Sequence, residues 1–353
     1  MIKIGLVIGP LLSEERLRLA KQLGVDEIIG GIPYDQYALE GYMYAPTRLN
    51  RPELQYQEVW SYDSILQMKK RIEDAGMKIS IIDAGPPMDK IKLGLPGRDK
   101  QIEDFCKSLK NIGAAGIHRF TFNFTPLSTS RTSYSTRIRG GAQATSFDLE
   151  LVKNAPLTEY GIVNMDKMWD NWEYFIKRVI PVAEEADVRL ALHPDDPPVP
   201  SLRGIARPFT SFEAFKRVID TVDSEYNGLS FCMGCWAEMG EDIPNAIQYF
   251  GSRGRINFVH FRNIIGTSTR FTETFHDDGQ TDMLAGIRAL KEVGYDGPIR
   301  PDHQPRTENY DTLPENSGYR LMAKFYAIGY LKGLIEAVYG KQNVSPNPLK
   351  ICP

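Results

Sequence analysis

The most informative stretch of the sequence is residues 189–198, which read Arg-Leu-Ala-Leu-His-Pro-Asp-Asp-Pro-Pro. Its first half is a short apolar run, which is typical of a buried strand. Pro194 cannot donate a backbone hydrogen bond and restricts the residue before it, so the strand is expected to end at His193. A histidine at the carboxyl end of a strand, followed by a stiff acidic loop, stands where parallel α/β folds carry their chemistry.

Strands and helices alternate along the rest of the chain, and eight strand–helix units can be read. Strict alternation predicts an α/β protein with a parallel sheet, and eight units predict a closed (β/α)8 TIM barrel with long loops at its carboxyl face. A doubly wound open sheet is the alternative, but no glycine-rich phosphate fingerprint follows the first strand. Residues 1–353 are therefore predicted to form a single barrel domain that a helix over about 319–339 closes.

The longest stretch without a helix or strand pattern covers residues 125–163 and is rich in Ser, Thr and Arg. It leaves from the carboxyl end of the fourth predicted strand, where a loop would overhang the mouth of the barrel. A disordered surface insertion is the alternative. We interpret the stretch as a mobile lid over the candidate site.

Bulk composition excludes several classes of protein. The formal net charge of −3 provides no long-range attraction to nucleic acid or to an anionic membrane. No apolar run approaches the roughly 20 residues that span a bilayer, and the first strand lacks a small-residue cleavage site. The four cysteines are too few and too irregular for a disulfide framework. We expect a cytoplasmic homo-oligomer, a dimer or larger, that acts on a small molecule.

Four residues with metal-binding side chains stand at or just after the ends of four successive predicted strands: His193, Cys232, His260 and Asp302. In a closed barrel these strand ends line one mouth, so the four side chains are expected to converge. Each residue alone has a structural interpretation, and it is the joint pattern that predicts a metal site. A thiolate, two imidazoles and a carboxylate suit Mn²⁺, Fe²⁺, Co²⁺ or Zn²⁺ better than Mg²⁺ or Ca²⁺.

Further polar residues follow the same strand ends: Asp195, Asp196, Arg262, Asn263 and His303. An arginine beside a metal suits a substrate carboxylate, and acid–base groups near a Lewis acid suit removal of a proton next to a carboxylate or carbonyl. Arg262 has a second interpretation, which is a buried ion pair with Asp195 or Asp196. His276, in the loop after the seventh strand, is either a group behind the metal ligands or a surface residue.

With these residues assembled, the chain resembles the D-mannonate dehydratases, a family of metal-dependent barrels related to xylose isomerase. The segments that carry the resemblance are 192–198, 231–234, 259–263, 300–303 and 318–319 with the helix that follows. Residues 123–126 are similar to the end of the family's fourth strand. The resemblance is strong from about residue 185 to 340 and weak before about 115.

The resemblance implies a site and a reaction. It implies coordination of a divalent ion, Mn²⁺ or Fe²⁺, by His193, Cys232, His260 and Asp302. It assigns catalysis to Arg262, His303 and Tyr319, and substrate contacts to Asn123, Arg131, Asp195, Asp196 and Asn263. The implied reaction removes water from the sugar acid D-mannonate and gives 2-keto-3-deoxy-D-gluconate, with His303 and Tyr319 as acid and base in an order left open.

The chain departs from the family's pattern at positions of the lid and the pocket wall. Residues 128–132 read Ser-Thr-Ser-Arg-Thr where the family has Asp-Trp-Thr-Arg-Thr, so an aromatic residue is missing. Gly234-Cys235 stands in place of a Gly-Ser pair. A dehydratase for a different sugar acid is therefore an alternative. A sugar isomerase or epimerase and a sugar-binding protein without turnover are the others, although such isomerases usually use several Glu and Asp ligands.

Overall fold

The structure is a computed structural model, and it describes residues 1–7, 14–31, 57–127, 129–307 and 321–340. The strands, in chain order, are β1 (Lys3–Leu6), β2 (Glu27–Ile28), β3 (Ile81–Asp83), β4 (Arg119–Asn123), β5 (Ser133–Arg137), β6 (Gln143–Asp148), β7 (Arg189–His193), β8 (Ser201–Leu202), β9 (Ile205–Ala206), β10 (Asn227–Cys232), β11 (Ile256–Phe261), β12 (Ile264–Thr267), β13 (Arg270–Glu273) and β14 (Pro298–Pro301). The helices are α1 (Glu14–Gln22), α2 (Tyr62–Asp74), α3 (Asp89–Leu93), α4 (Arg98–Ala114), α5 (Met165–Ala186), α6 (Phe212–Thr221), α7 (Met233–Glu238), α8 (Ile243–Gly251), α9 (Met283–Glu292) and α10 (Leu321–Tyr339).

Eight parallel strands form the central sheet, in the order β2-β1-β14-β11-β10-β7-β4-β3. Two parallel bridges, Glu27 with Lys78 and Gly30 with Ile82, join the two ends of this order and close the sheet into a ring. The predicted (β/α)8 barrel is confirmed. Because the strands run parallel and in register, their carboxyl ends all open on one face.

Strand β7 shows why the sequence folds in this way. Leu190 and Leu192 are buried, and the strand ends at His193 as the following proline predicts. Strands β10 and β11 are buried along their whole length, which parallel strands covered by helices require.

Helix α5 packs over this part of the barrel. It starts at the cap Asn164, whose Oδ1 accepts from Lys167 N at 2.9 Å. Its buried stripe includes Trp172, Phe175 and Val179. The stripe has the spacing of an amphipathic helix, so these aromatic residues form core as predicted.

A second sheet lies at the carboxyl face of the barrel. It is antiparallel, with the order β12-β13-β6-β5. Strands β5 and β6 come from residues 125–163, here called the insertion, and β12 with β13 forms a hairpin directly after β11. The prediction that the insertion is irregular was wrong. Strand β5 is polar and no residue in it is fully buried, so no apolar alternation marks it in the sequence.

Two short helices and the last long helix complete the set of helices around the barrel. Helix α3 begins shortly after β3 and brings Lys92 to the barrel mouth, and α7 directly follows β10 and brings Cys235 there. Neither helix was predicted from the sequence. Helix α10 is the predicted closing helix from Leu321 onwards, and Lys324 Nζ donates to Val7 O at 3.0 Å. Among the described helices, none is long and apolar enough to cross a membrane.

The insertion is expected to be the first segment that trypsin cleaves, and ligand is expected to slow the cleavage. Leu151, Leu157 and Ile162 are 72%, 53% and 77% exposed, so this part has few buried contacts to break when it opens. Mass spectrometry of early fragments should place the first cut at or near Lys153. Earlier cleavage in the barrel loops, or a rate that ligand does not change, would contradict the lid interpretation.

Candidate metal and active site

Three of the four predicted metal ligands meet at the ends of β7, β10 and β11. The ligand atoms of His193, Cys232 and His260 all lie within 4.8 Å of one another, and the centroids of the two imidazole rings are 4.9 Å apart. Cys232 stands opposite His260 in the register of β10 and β11, which accounts for their proximity. His193 Nδ1 donates to the Pro194 carbonyl at 2.7 Å, so Nε2 is left as the ligand atom.

Asp302 joins this group through His260. Its Oδ2 lies 3.5 Å from His260 Nδ1, and its Oδ1 accepts from Arg300 Nη1 at 2.7 Å. Within the part of the chain that the structure describes, His260 Nδ1 is buried and has no hydrogen-bond partner. Once the ring has lost its proton, a buried nitrogen in that position beside a carboxylate is suited to bind a cation.

Asp83 is a further carboxylate at this site that the sequence analysis missed. Its Oδ2 accepts from Arg300 Nη2 at 2.8 Å and lies 3.5 Å from His260 Nε2. Burial and Arg300 lower the pKa of His260, but Asp302 and Asp83 outweigh them and raise it to about 10. Asp83 is the last residue of β3, so the same strand-end argument that identified the other ligands would have found it.

The surroundings of Cys232 favour the thiolate form of its side chain. Burial raises the pKa of the thiol, but its contacts with Cys235, His193 and His260 outweigh burial and bring the pKa well below its usual value. A thiolate, two imidazoles and a carboxylate form a donor set that fits a divalent transition ion. The predicted ligands are therefore chemically suited to one metal ion.

A second cluster of metal-binding side chains lies beside the first. Suitable atoms of Asp196, Cys235 and Glu238, all buried, lie within 4.8 Å of one another. The guanidinium of Arg262 lies among them, with Nη1 3.0 Å from Asp196 Oδ2 and 3.4 Å from Cys235 Sγ, and Nη2 bonded to Glu238. The cation of this cluster is therefore an arginine.

Arg262 is completely buried and bonded to several acids. Besides Asp196 and Glu238, its Nη2 lies 2.9 Å from Glu273 Oε1. Of the two roles that the sequence left open, the ion pair with Asp196 is present in the structure. Direct contact between Arg262 and a substrate stays a prediction.

Arg131 and Asp196, both predicted to bind substrate, bind each other. Arg131 donates to the two carboxylate oxygens of Asp196 at 2.6 and 2.8 Å, and Nη2 also donates to Glu273 Oε1 at 2.6 Å. Bidentate pairs of this kind fix geometry as well as charge. The insertion is thus attached to the barrel mouth by a buried arginine.

His303 lies beside Asp302, at the edge of the predicted metal ligands. Its Nδ1 is 2.5 Å from Glu273 Oε1, and its Nε2 is 3.7 Å from Asp302 Oδ1. The backbone of His303 has φ 45°, in the left-handed region that a residue with a side chain adopts at a cost. Strain of this kind is concentrated at functional sites.

The amide of Asn263 is used by the backbone around it. Its Nδ2 donates to the carbonyl oxygens of His276 and Thr281, and its Oδ1 accepts from the backbone N–H groups of Ile264 and Thr281. These four bonds use the full capacity of a side-chain amide. Asn263 therefore holds the loop after β11 in place. Both polar atoms of its side chain are used by these bonds, which leaves none for the predicted contact with substrate.

Asn123 and Asp195 lie near His193, at the ends of β4 and β7. Asn123 stands opposite His193 in the register of β4 and β7, and its Oδ1 accepts from the buried Lys92 Nζ at 3.1 Å. Burial lowers the pKa of Lys92 to about 8. Asp195 Oδ2 accepts from Phe209 N at 2.9 Å. Tyr319, the remaining predicted catalytic residue, lies outside the described residues.

His276 is buried beside Asp302, so the alternative that it is a surface residue is wrong. Its Nε2 donates to the Asp302 carbonyl at 3.1 Å, and its ring stacks on Phe261 with the centroids 5.3 Å apart. Burial lowers the pKa of His276 to about 4, outweighing its hydrogen bonds to the backbone of Phe261 and Asp302. The ring is therefore neutral in the folded protein at neutral pH.

The pKa of His276 predicts that acid destabilises the metal-free protein. The unfolded chain binds this proton below about pH 6.5 while the folded chain binds it only near 4, so stability is lost as pH falls through this window, by about 3 kcal/mol. Urea unfolding of metal-free protein between pH 7.5 and 4 measures the loss. His276→Gln should show a smaller loss across the same window, and equal losses would contradict the assignment.

The fold and the site together define a xylose isomerase-like barrel with a candidate transition-metal site. Among solved structures, D-psicose 3-epimerase from Clostridium cellulolyticum H10 is similar at 15% identity and a TM-score of 0.57, covering 92% of this chain and 93% of that chain. That likeness shows the fold. The mannonate dehydratase from Streptococcus suis serotype 2 is similar at 30% identity and a TM-score of 0.81, covering 95% and 93%.

The sequence comparisons agree with the second of these structures. The family model of D-mannonate dehydratase (UxuA) matches residues 49–158 and 154–345. The mannonate dehydratase of Thermotoga maritima is 35% identical over 317 residues, which are 80% of this chain and 87% of that protein. The mannonate dehydratase of Streptococcus agalactiae serotype III is 36% identical over 312 residues, or 80% and 88%. The chain belongs to the D-mannonate dehydratase family, which confirms the resemblance.

Proposed function

We propose that the protein is a metal-dependent hydro-lyase that removes water from D-mannonate and yields 2-keto-3-deoxy-D-gluconate. The observation that carries the proposal is the cluster of His193, Cys232 and His260 at the barrel mouth, with His303 at its edge, in a chain of this family. A Lewis-acid site beside a histidine suits removal of a proton next to a carboxylate. The isomerase or epimerase alternative is not favoured, because the three relatives described above, at 30–36% identity, are each named mannonate dehydratase.

The ion is proposed to be Mn²⁺ or Fe²⁺, held by His193, Cys232, His260 and Asp302. A divalent ion bound by these residues would supply a Lewis acid next to the substrate carboxylate, and its charge would acidify the proton on C2. The pKa values of Cys232 and Asp302 support this ligand set. Burial raises both values, but the neighbouring polar and charged groups outweigh burial and bring both well below their usual range, which favours the negatively charged forms.

The chain's own residues then move two protons. His303 and Tyr319 are the proposed acid and base, in an order that stays open. One takes the proton from C2, the other protonates the C3 hydroxyl as its bond to carbon breaks, and water leaves. The resulting enol rearranges to the 2-keto acid.

The substrate is proposed to lie between His303 and the ends of β4 and β7. Asn123 and Asp195 lie beside His193 at these strand ends, which supports their role in substrate binding. We propose that Arg131, Asp196 and Arg262 form the charged wall of this pocket, because both arginines are bonded to Asp196 and all three side chains are buried. The protein is further proposed to be a cytoplasmic homo-oligomer that acts on the sugar acid without a nucleic-acid or membrane partner.

The proposal is tested with purified protein, Mn²⁺ or Fe²⁺, and a panel of sugar acids that includes D-mannonate and its epimers at C2 and C3. A 2-keto-3-deoxy product from D-mannonate is the expected result, and chelation of the metal should stop its formation. A product from an epimer alone would favour the alternative of a different sugar acid, which the missing aromatic residue in 128–132 motivates. No product from any member, with metal bound, would contradict the proposed function.

His303→Asn is expected to lower turnover by about 10²-fold or more, the range for losing a general acid or base. The variant should retain its metal, because the ring of His303 is not one of the three clustered ligands. Metal analysis and thermal unfolding provide the control. Normal turnover in a folded, metal-loaded variant would remove His303 from the mechanism.

A further inference from the structure

Glu273 ends β13 and points its carboxylate into the junction between the second sheet and the barrel mouth. It is 3% exposed, and its Oε1 lies 2.5 Å from His303 Nδ1. An ionised carboxylate can only accept a hydrogen bond, so the proton of this bond belongs to the imidazole nitrogen. The other ring nitrogen, Nε2, then faces towards Asp302, 3.7 Å from its Oδ1.

The carboxylate of Glu273 is held in place by three further donors. Arg131 Nη2 donates to Oε1 at 2.6 Å, Arg262 Nη2 lies 2.9 Å from the same oxygen, and Thr145 Oγ1 donates to Oε2 at 2.5 Å. Burial raises the pKa of Glu273, but His303, Arg131 and Arg262 outweigh burial and hold the pKa well below its usual value. The partner of His303 is therefore both charged and immobile.

We propose that Glu273 is the positioning residue of His303: it keeps the proton on Nδ1 and turns Nε2 towards the reacting carbons. The inference rests on the proposed function, in which His303 transfers a proton, and it adds the group that orients the ring. A carboxylate bonded to the far nitrogen of a catalytic histidine fixes its tautomer and orientation in other enzymes. Because Arg131 and Thr145 come from the insertion, the lid and the catalytic histidine are joined through this one carboxylate.

Glu238 provides a matched control for Glu273. It also bonds to Arg262 Nη2 and is also completely buried, but its described contacts do not include His303. Burial raises the pKa of Glu238 well above its usual value, and the amide oxygen of a glutamine can still accept from Arg262 Nη2. Glu238→Gln therefore changes a buried partner of Arg262 only, whereas Glu273→Gln changes the partner of His303 itself.

The kinetic test compares the variants loaded with metal. Glu273→Gln is expected to lower kcat by about 10²-fold or more while KM changes by less than about threefold. Glu273→Asp keeps the charge, so its kcat should lie no more than about tenfold below that of the wild type. The kcat of Glu238→Gln should stay within about threefold of the wild-type value. Metal content should be unchanged in all three. Full kcat in Glu273→Gln, or loss of metal in both Glu273 variants, would overturn the proposal.

A double-mutant cycle shows whether Glu273 acts through His303. In the His303→Asn background, Glu273→Gln should lower kcat by no more than about twofold, because the group that it positions is already absent. An equal loss in both backgrounds would mean that Glu273 acts elsewhere.

A second readout does not need turnover. In protein with ¹⁵N-labelled histidine and diamagnetic Zn²⁺, the Nδ1 proton of His303, assigned with His303→Asn, should be visible in the wild type and in Glu238→Gln, and lost or shifted in Glu273→Gln. If no sugar acid is turned over but this signal behaves as expected, the proposed function fails while the contact between Glu273 and His303 stands. A signal that Glu273→Gln leaves unchanged overturns the inference whatever the substrate.

Discussion

Cys232→Ala is expected to abolish metal binding and turnover together. Cys232 Sγ is one of three clustered ligand atoms, and the residue is buried, with the pKa of its thiol well below the usual value. Loss of a group that only supports a ligand costs about 10–100-fold in metal affinity, so loss of a ligand should exceed that range. Metal analysis after gel filtration should show almost no bound ion, and turnover should fall by about 10³-fold or more.

Two variants sharpen this test. His260→Ala should behave like Cys232→Ala, because both residues lie in the same cluster. Cys235→Ser is the control: Cys235 is the neighbouring buried thiol, and a serine hydroxyl can still donate to the thiolate of Cys232. It should therefore retain metal. If Cys232→Ala and His260→Ala bind a full equivalent of metal, the ligand assignment is wrong.

The site residues that can be predicted from the sequence are those that stand at the ends of strands. Pro194 ends β7 at His193, and the parallel register then places Cys232 opposite His260. The end of β7 follows from the backbone restriction that proline imposes, and the pairing of Cys232 with His260 follows from the parallel strands of a closed barrel. Asp83 obeys the same rule at the end of β3 and could have been found in the same way.

The second sheet and its ion pairs could not be predicted by such rules. Strand β5 is polar with no fully buried residue, so it lacks the alternation that identifies a strand. The bond between Arg131 and Glu273 joins residues 142 positions apart, and that of Arg131 with Asp196 joins residues 65 apart. Charges pair in this way only once the fold has brought them together. Sequence alone therefore left Arg262 with two roles and missed Glu273.

Replacing Arg262 with methionine is expected to destabilise the protein strongly. The guanidinium is completely buried and lies within 3.0 Å of Asp196 and 2.9 Å of Glu273. Without it, these two carboxylates stay buried and lose one of their cationic partners. Removal of one member of a buried ion pair costs about 3–5 kcal/mol, because the charge left behind is neither hydrated nor fully paired. Chemical unfolding of Arg262→Met and the wild type at neutral pH measures the difference.

The same variant separates the two roles of Arg262. Arg189→Met is the control: Arg189 pairs with Glu225 on the surface, with side chains 35% and 59% exposed, and loss of such a pair costs about 1 kcal/mol or less. If Arg262→Met loses only as much stability as this control while turnover on the sugar acid collapses, Arg262 acts mainly on the substrate carboxylate. If stability falls by several kcal/mol, the arginine is first the counter-ion that allows Asp196 and Glu273 to be buried. The burial of all three side chains favours the second outcome, because a buried carboxylate that has lost a cationic partner is more costly than one lost contact with a substrate.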